Sequence, residues 1–325
     1  MSAAGNQFLL PDYRISSYRF TLRASDRLVL PRPRVGIILR GAFGLAFRRL
    51  VCHDVQAACR ECALAGACPY ARVFAPAPPP DAERLRLQSD IPRPFVLAPE
   101  PADADEFPAG AGFHFDLVLI GDPAAYLPYF VVAFRSLGEA GIGPGRGRFE
   151  VESVVAAGQG AGDPEPVYRT GEPVVRNVAR VERPGAVPPT GPVERLTVRF
   201  VTPTLVTRDA PAASAPSFGQ LLKRARDRAS ATQYFFCGKP WEIDHRLLGR
   251  LADEVATRSS GGGFVALPRR SSRTGRVHVI QGYEGSAAYE GDLAPFLPLL
   301  RVTERINVGK AATFGCGRIE VRVGG

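Results

Sequence analysis

Four cysteines, Cys52, Cys59, Cys62 and Cys68, fall within seventeen residues, while Cys237 and Cys316 stand alone. The central C-x2-C pair can bend back onto one ion, and Cys52 and Cys68 can complete a tetrahedral set from flanking loops, which suits structural zinc. Four thiolates also suit an iron–sulfur cluster, and unmetallated thiols are a third possibility. A closed four-thiolate site has no open coordination position, so its expected role is to staple a loop. A second chemistry-bearing stretch is Asn307-Val308-Gly309, five residues from Lys310 to Phe314, then Gly315-Cys316-Gly317. Glycines permit positive φ and close backbone approach, and unsatisfied loop amides make an anion nest, so Gly309, Gly315 and Gly317 around Lys310 suggest a phosphate cradle. The plainer alternative is a tight turn before a terminal strand. Third, Arg224, Arg226 and Arg228 on one segment and Arg269, Arg270, Arg273 and Arg276 on another concentrate guanidinium groups suited to phosphate.

The elements that must position these groups come in two similar sets. Ser17 to Leu22 and 28–30 suggest strand, the second stretch extending or pairing with the first. Val35 to Val51 has helical periodicity with Ile37, Ile38, Gly41, Leu45 and Leu50 as the apolar stripe and Arg40, Arg48 and Arg49 off it. Strands follow at 94–97 and 113–120, then a helix from a capping Asp122 and Pro123 to about Leu137, a loop Gly141-Ile142-Gly143-Pro144-Gly145-Arg146-Gly147, and a strand at 148–154. The second set has a strand at 193–206, a helix at 217–233, strands at 264–267 and 276–289, a helix at 292–300, then the terminal loop and strand. Each set reads β-α-β-β-α-β, and both end on a glycine loop that runs into Gly-Arg-apolar-Glu-Val. The expected fold is therefore α+β, with tandem ferredoxin-like (RRM-like) domains at 1–157 and 193–325. A four-cysteine insertion would occupy 52–75. Residues 158–192, rich in Gly, Pro and charge, would be the linker, with one strand at 173–181.

The 325 residues are enough for two ordinary domains, and 45% apolar content supports a folded chain. Forty-one Lys+Arg against 32 Asp+Glu give a net charge of +9, which favours a polyanionic partner. No run approaches the ~18 to 20 apolar residues of a membrane span, and no secretory signal opens the chain, so the expected location is the cytoplasm.

With these pieces in place the chain resembles the CRISPR repeat-processing endoribonucleases of the RAMP superfamily. The resemblance rests on the terminal loop, where Asn307 stands for the family's first glycine, and on Leu39-Arg40-Gly41-Ala42-Phe43-Gly44, Cys68-Pro69-Tyr70, Gly282-Tyr283-Glu284-Gly285 and Gly291-Asp292-Leu293. It implies binding of CRISPR repeat RNA and metal-independent cleavage by 2′-hydroxyl attack, leaving a 2′,3′-cyclic phosphate. Arg40 would join the RNA-binding set. In that family a histidine near the first helix often acts, helped by Tyr or Lys. His53 is the candidate here, although it adjoins Cys52 and is equally placed to be held by the metal loop or to replace a thiolate. His245, Tyr234, Tyr18 and Lys310 are further candidates, and His114 and His278 are expected on sheet faces. The alternative function is a non-catalytic RNA-binding subunit of an RNA-guided effector complex. A third is a structural zinc or RNA-binding protein unrelated to CRISPR.

Overall fold

A computed structural model of the chain describes residues 7–79, 81–85, 91–100, 104–158, 163–206, 214–270, 275 and 277–324. It is a mixed α+β protein with antiparallel sheets, divided into two compact units, 15–182 and 1–14 with 183–325.

In the first unit β1 (Ile15–Ala24) buries Tyr18, Phe20 and Leu22 and turns Arg19, Thr21 and Arg23 outward, the period of a half-buried strand. β2 (Leu28–Val29) does not extend or pair with β1. It pairs with β4 (Glu106–Phe107). β3 (Phe95–Pro99), β5 (Gly112–Ile120), β6 (Phe149–Ala157) and β7 (Glu165–Arg169) complete a sheet in the order β3-β5-β1-β6-β7, with β8 (Val181–Glu182) against β1. Two helices cover one face. α1 (Val35–Val51) packs on β3 and on α3 (Leu127–Ala140), which lies on β6. α1 has the expected bounds but a different buried face. Val35, Leu39, Phe43 and Phe47 point inward at steps of four, whereas Leu45 and Leu50 are 43% and 41% exposed. The aromatic rings decide this, because Phe43 stacks 4.8 Å from both Phe130 and Phe134 of α3. Asp122 does not cap α3. Gly121, at φ 66°, precedes a 3-10 turn Asp122–Tyr126, and the α-helix begins where Pro128 falls in its first turn. α2 (Pro69–Phe74) follows the cysteine segment.

The second unit has the sheet order β10-β11-β9-β12, with β9 (Arg195–Thr204), β10 (Ala256–Arg270), β11 (Val277–Glu290) and β12 (Ile319–Val323). α4 (Phe218–Phe236) opens on a capping box between Ser217 and Gln220. α5 (His245–Asp253), which has no counterpart among the expected elements, starts where Asp244 accepts from the amides of Arg246 and Leu247. α6 (Leu297–Ile306) follows a 3-10 turn Ala294–Phe296 and carries Pro298 in its first turn. That repeats the turn, proline and helix succession of the first unit.

Two expected boundaries move. Phe8, Leu10 and Tyr13 are fully buried in the second unit, where the Tyr13 hydroxyl lies 2.7 Å from Thr232 Oγ1 and Trp241 Nε1 donates to the Leu9 carbonyl. The stretch 158–192 is not wholly a connection, because β7 and β8 join the first sheet. Of the expected strand at 173–181 only its end is found, as Val181–Glu182.

Candidate functional site

The terminal glycine loop closes on itself. Val308 N donates to Gly317 O, Gly317 N to Pro203 O and Lys310 N to Leu205 O, while Phe314 N and Gly315 N bond within the loop. Thr202, on β9, ties the far side by donating to Gly315 O and accepting from Arg318 N. Asn307 sits at φ 60°, and its buried Nδ2 donates to Cys316 O, so its side chain joins the two ends of the loop in a way glycine cannot. A Cβ on Gly317 would collide with the Val308 carbonyl, and one on Gly309 with that of Leu205. These glycines are needed for close approach of backbone to backbone, and Gly315 and Gly317 are buried. The five bonded amides are thereby taken from the expected anion nest. Lys310 remains exposed at the loop surface.

The earlier loop has the same construction. Ile142 N donates to Gly147 O, and Gly143 and Gly147 abut backbone at Arg27–Val29, the segment that follows β1, as Gly309 abuts the segment that follows β9. Its cation is spent, because Arg146 Nη2 donates to Ala140 O.

The α4 cations do not form a phosphate-facing row. Arg228 is buried with Nε donating to Ile306 O, Arg226 is bound to Asp227 and to the His245 carbonyl, and Lys223 pairs with Asp253. Arg224 Nε donates to Val206 O, although the residue is exposed. Four cations over six residues span more than one full helical turn, so some must face the core. Arg40 is half-buried, with its guanidinium 4.9 Å above the Phe74 ring. Arg273 and Arg276, and the side chains of Arg269 and Arg270, lie outside the described residues.

Of the proton-transfer candidates, Tyr18 is corrected outright. It is fully buried, and loss of solvent pushes its hydroxyl up to about 12. His53 is exposed on the segment after α1. Tyr234 lies in the last turn of α4, its ring 4.8 Å from Phe235, and His245 opens α5 with its ring 5.7 Å from Trp241. His53 belongs to the first unit, whereas Tyr234, His245 and Lys310 belong to the second. His114 is a sheet-face residue, as expected, with Nε2 2.7 Å from Glu100 Oε2. His278 is exposed on β11.

Cys52 caps the C-terminus of α1, Cys59 opens a 3-10 turn, Cys62 closes it, and Cys68 precedes α2. All four, with His53 and Tyr70, line one cavity of about 170 Å³. The thiols are free of disulfides. Burial pushes the Cys59 thiol up, partly opposed by the Arg48 guanidinium, and the Cys52, Cys68 and Cys62 sulfurs add to the rise. Among the described residues no group of three or more His, Cys, Asp or Glu side chains is placed to hold a metal ion, so the four thiols would have to turn toward one another to bind one. Cys316, by contrast, lies in the terminal loop, where burial and then the Glu284 carboxylate push its thiol up to about 12.

Comparison with known families settles what the scaffold is. Residues 10–180, more than half the chain, match a family model described as an N-terminal domain, and residues 198–319, through the whole terminal loop, match the CRISPR-associated endoribonuclease Cas6. That match places the C-terminal part of the chain, residues 198–319, in the Cas6 family. A Cas6 product complex is similar with a TM-score of 0.55 at 15% identity, covering 95% of this chain and 99% of that one. Thermus thermophilus Cas6 gives 0.52 at 15% identity over the same shares. A partial Cas6-RT-Cas1–Cas2 complex gives 0.56 at 10% identity, covering 98% of this chain and 47% of the other. At these identities the structural likeness speaks to fold alone. No curated protein matches. Among the described residues no helix is long and apolar enough to cross a membrane.

Proposed function

We propose that this protein binds CRISPR repeat RNA and cuts the precursor transcript into guide RNAs without a catalytic metal, through two tandem ferredoxin-like domains. The single observation that carries the reading is the Cas6 match over residues 198–319, which contains the loop that presents Lys310. The fold is supported by a strand order shared by the two units. Numbered along each β-α-β-β-α-β succession, both sheets run second, third, first, fourth.

In the proposed reaction a base removes the proton from a ribose 2′-hydroxyl, and that oxygen attacks the adjacent phosphorus. The 5′-oxygen leaves with a proton from an acid, so the products carry a 2′,3′-cyclic phosphate and a 5′-hydroxyl. Such a step needs a proton acceptor, a proton donor and a cation for the phosphorane charge. His53 is exposed and carries an imidazole that can accept or donate a proton, and Lys310 is an exposed point charge on the loop. Tyr234 and His245 are the next candidates for the proton donor.

Incubation of purified protein with its repeat RNA in EDTA tests the activity, with product ends read by sensitivity to a phosphatase that requires an opened phosphate. Binding without cleavage would replace the enzyme by a non-catalytic RNA-binding subunit. His53→Ala is expected to slow cleavage by about 10²- to 10⁴-fold while affinity stays within a few-fold, because proton transfer contributes to the transition state and little to ground-state binding. An unchanged rate would move the base elsewhere. Replacing Arg270 and Arg273 together should flatten the salt dependence of binding by roughly one to two units.

A further inference from the structure

The segment 52–68 lacks what holds the rest of its unit together. None of its seventeen residues is buried, and the large apolar side chains it carries, Val55 and Leu64, are 45% and 56% exposed. The hydrophobic core of the unit contains none of them. Its regular structure amounts to one 3-10 turn at Cys59–Glu61 and a few local turns. The half-buried positions are Ala57, Ala65 and the four cysteines, so the side chains turned inward are, two small alanines apart, the thiols. Apolar burial cannot order such a segment against the entropy of fixing its backbone, which costs about 1 to 2 kcal/mol per residue. A linkage through the inward side chains can.

We infer that Cys52, Cys59, Cys62 and Cys68 bind one zinc ion that staples the segment between α1 and α2 to the first unit. The sequence positions suit the task. Cys52 and Cys68 are held at the ends of two helices, and Cys59 and Cys62 are the two ends of one turn, closed by Cys62 N donating to Cys59 O. The four sulfurs line a common cavity, and none is committed to a disulfide. Four thiolates on a divalent ion leave a net charge of about −2, and the Arg48 guanidinium is already anchored beside the cluster by its Nη2 bond to Ala57 O and its place 5.5 Å over the Tyr70 ring. Binding breaks the S–H bonds, releases those protons to solvent and leaves every carbon–sulfur bond intact. The site takes no part in RNA cleavage in this reading, and its failure would leave the proposed reaction standing.

Elemental analysis of full-length protein purified without added metal should find about one zinc per chain. Titration with an organomercurial that blocks thiols should release that zinc to a chromogenic chelator, a readout that needs no variant. Cobalt taken up in its place should show the visible bands of a tetrahedral thiolate site. Because the core does not include the segment, the stripped protein should stay folded by circular dichroism and be cut by trypsin after the exposed Arg60 at least tenfold faster than the zinc form. The inference is overturned if the protein carries no zinc, if it carries iron instead, if the Cys62→Ser, Cys68→Ser double variant keeps its zinc, or if stripping leaves the rate of cutting at Arg60 unchanged.

Discussion

Asn307 and Lys310 stand three residues apart and do different work. Asn307 combines a positive φ with a buried side-chain bond across the loop, while Lys310 contributes only its backbone to the fold and leaves its ammonium in solvent. Gly317, at φ 72° with the Val308 carbonyl against its α-carbon, belongs with Asn307. Gly317→Ala should therefore destabilise the second unit by about 2 kcal/mol or more in denaturant unfolding, since left-handed backbone and a backbone collision both oppose a Cβ. Lys310→Ala should unfold at the wild-type denaturant concentration and lose RNA affinity or cleavage rate several-fold. A Lys310→Ala protein that binds and cuts normally would leave the loop with a structural role alone. Glu284, in the Gly-Tyr-Glu-Gly stretch, has its carboxyl held above the ordinary range by loss of solvent. A carboxyl whose folded pKa is raised favours the folded state at low pH, and that contribution is lost as pH rises through the raised value. Glu284→Gln should accordingly raise the melting temperature at pH 7.5 and change it little at pH 4.

At the scale of elements, the bounds of α1 were readable and its buried face was not, whereas α3 and α6 begin about five residues later than their sequences suggest. α1 has the bounds its periodicity suggests, but apolar residues occur on several sides of it, so the period cannot choose among them. The aromatic surface of α3 makes the choice by stacking on Phe43. α4 shows the same thing with charge, because its arginines are distributed around the helix and Arg228 falls on the buried side. Removing that guanidinium strands the Ile306 carbonyl, so Arg228→Ala should cost about 1 to 3 kcal/mol of stability and leave the salt slope of RNA binding where it was. The two loops after α3 and α6 also differ in their cations, Arg146 turned back onto a helix end and Lys310 outward. That difference makes the second loop the better candidate for contact with phosphate.

For the molecule as a whole, the count of 41 Lys+Arg overstates the basic surface that is not paired with carboxylates. Arg19, Arg23, Arg27 and Arg148 in the first unit and Arg195, Arg199 and Arg258 in the second are paired with carboxylates. Exposed pairs of this kind add about 0 to 1 kcal/mol each, so their main effect is to occupy charge. The N-terminal segment has a larger consequence, since Phe8 and Leu10 are fully buried in the unit formed by the C-terminal half. Deleting residues 1–10 should destabilise that unit by about 3 kcal/mol or more, at about 1.5 to 3 kcal/mol per lost apolar side chain. Hydrogen exchange should show β9, α4 and α6 opening more readily while β1 and β5 keep their protection.

Local spacing determined a good deal of this protein. The alternation of β1 and β5, the period of α1, the four cysteines and the repeated glycine loops each depend on residues within about seventeen positions of one another, where backbone geometry links sequence to structure directly. They were enough to give two β-α-β-β-α-β successions and the resemblance to repeat-processing endoribonucleases. Tertiary structure decided which side of α1 and α4 is buried, that residues 7–14 fold with α4 and Trp241, more than two hundred residues away, that β2 pairs with β4, and that loop glycines serve backbone contact. Those outcomes rest on packing between segments remote in sequence, such as Phe43 on Phe134 or Gly309 against Leu205, and no local period encodes which partner a surface will meet.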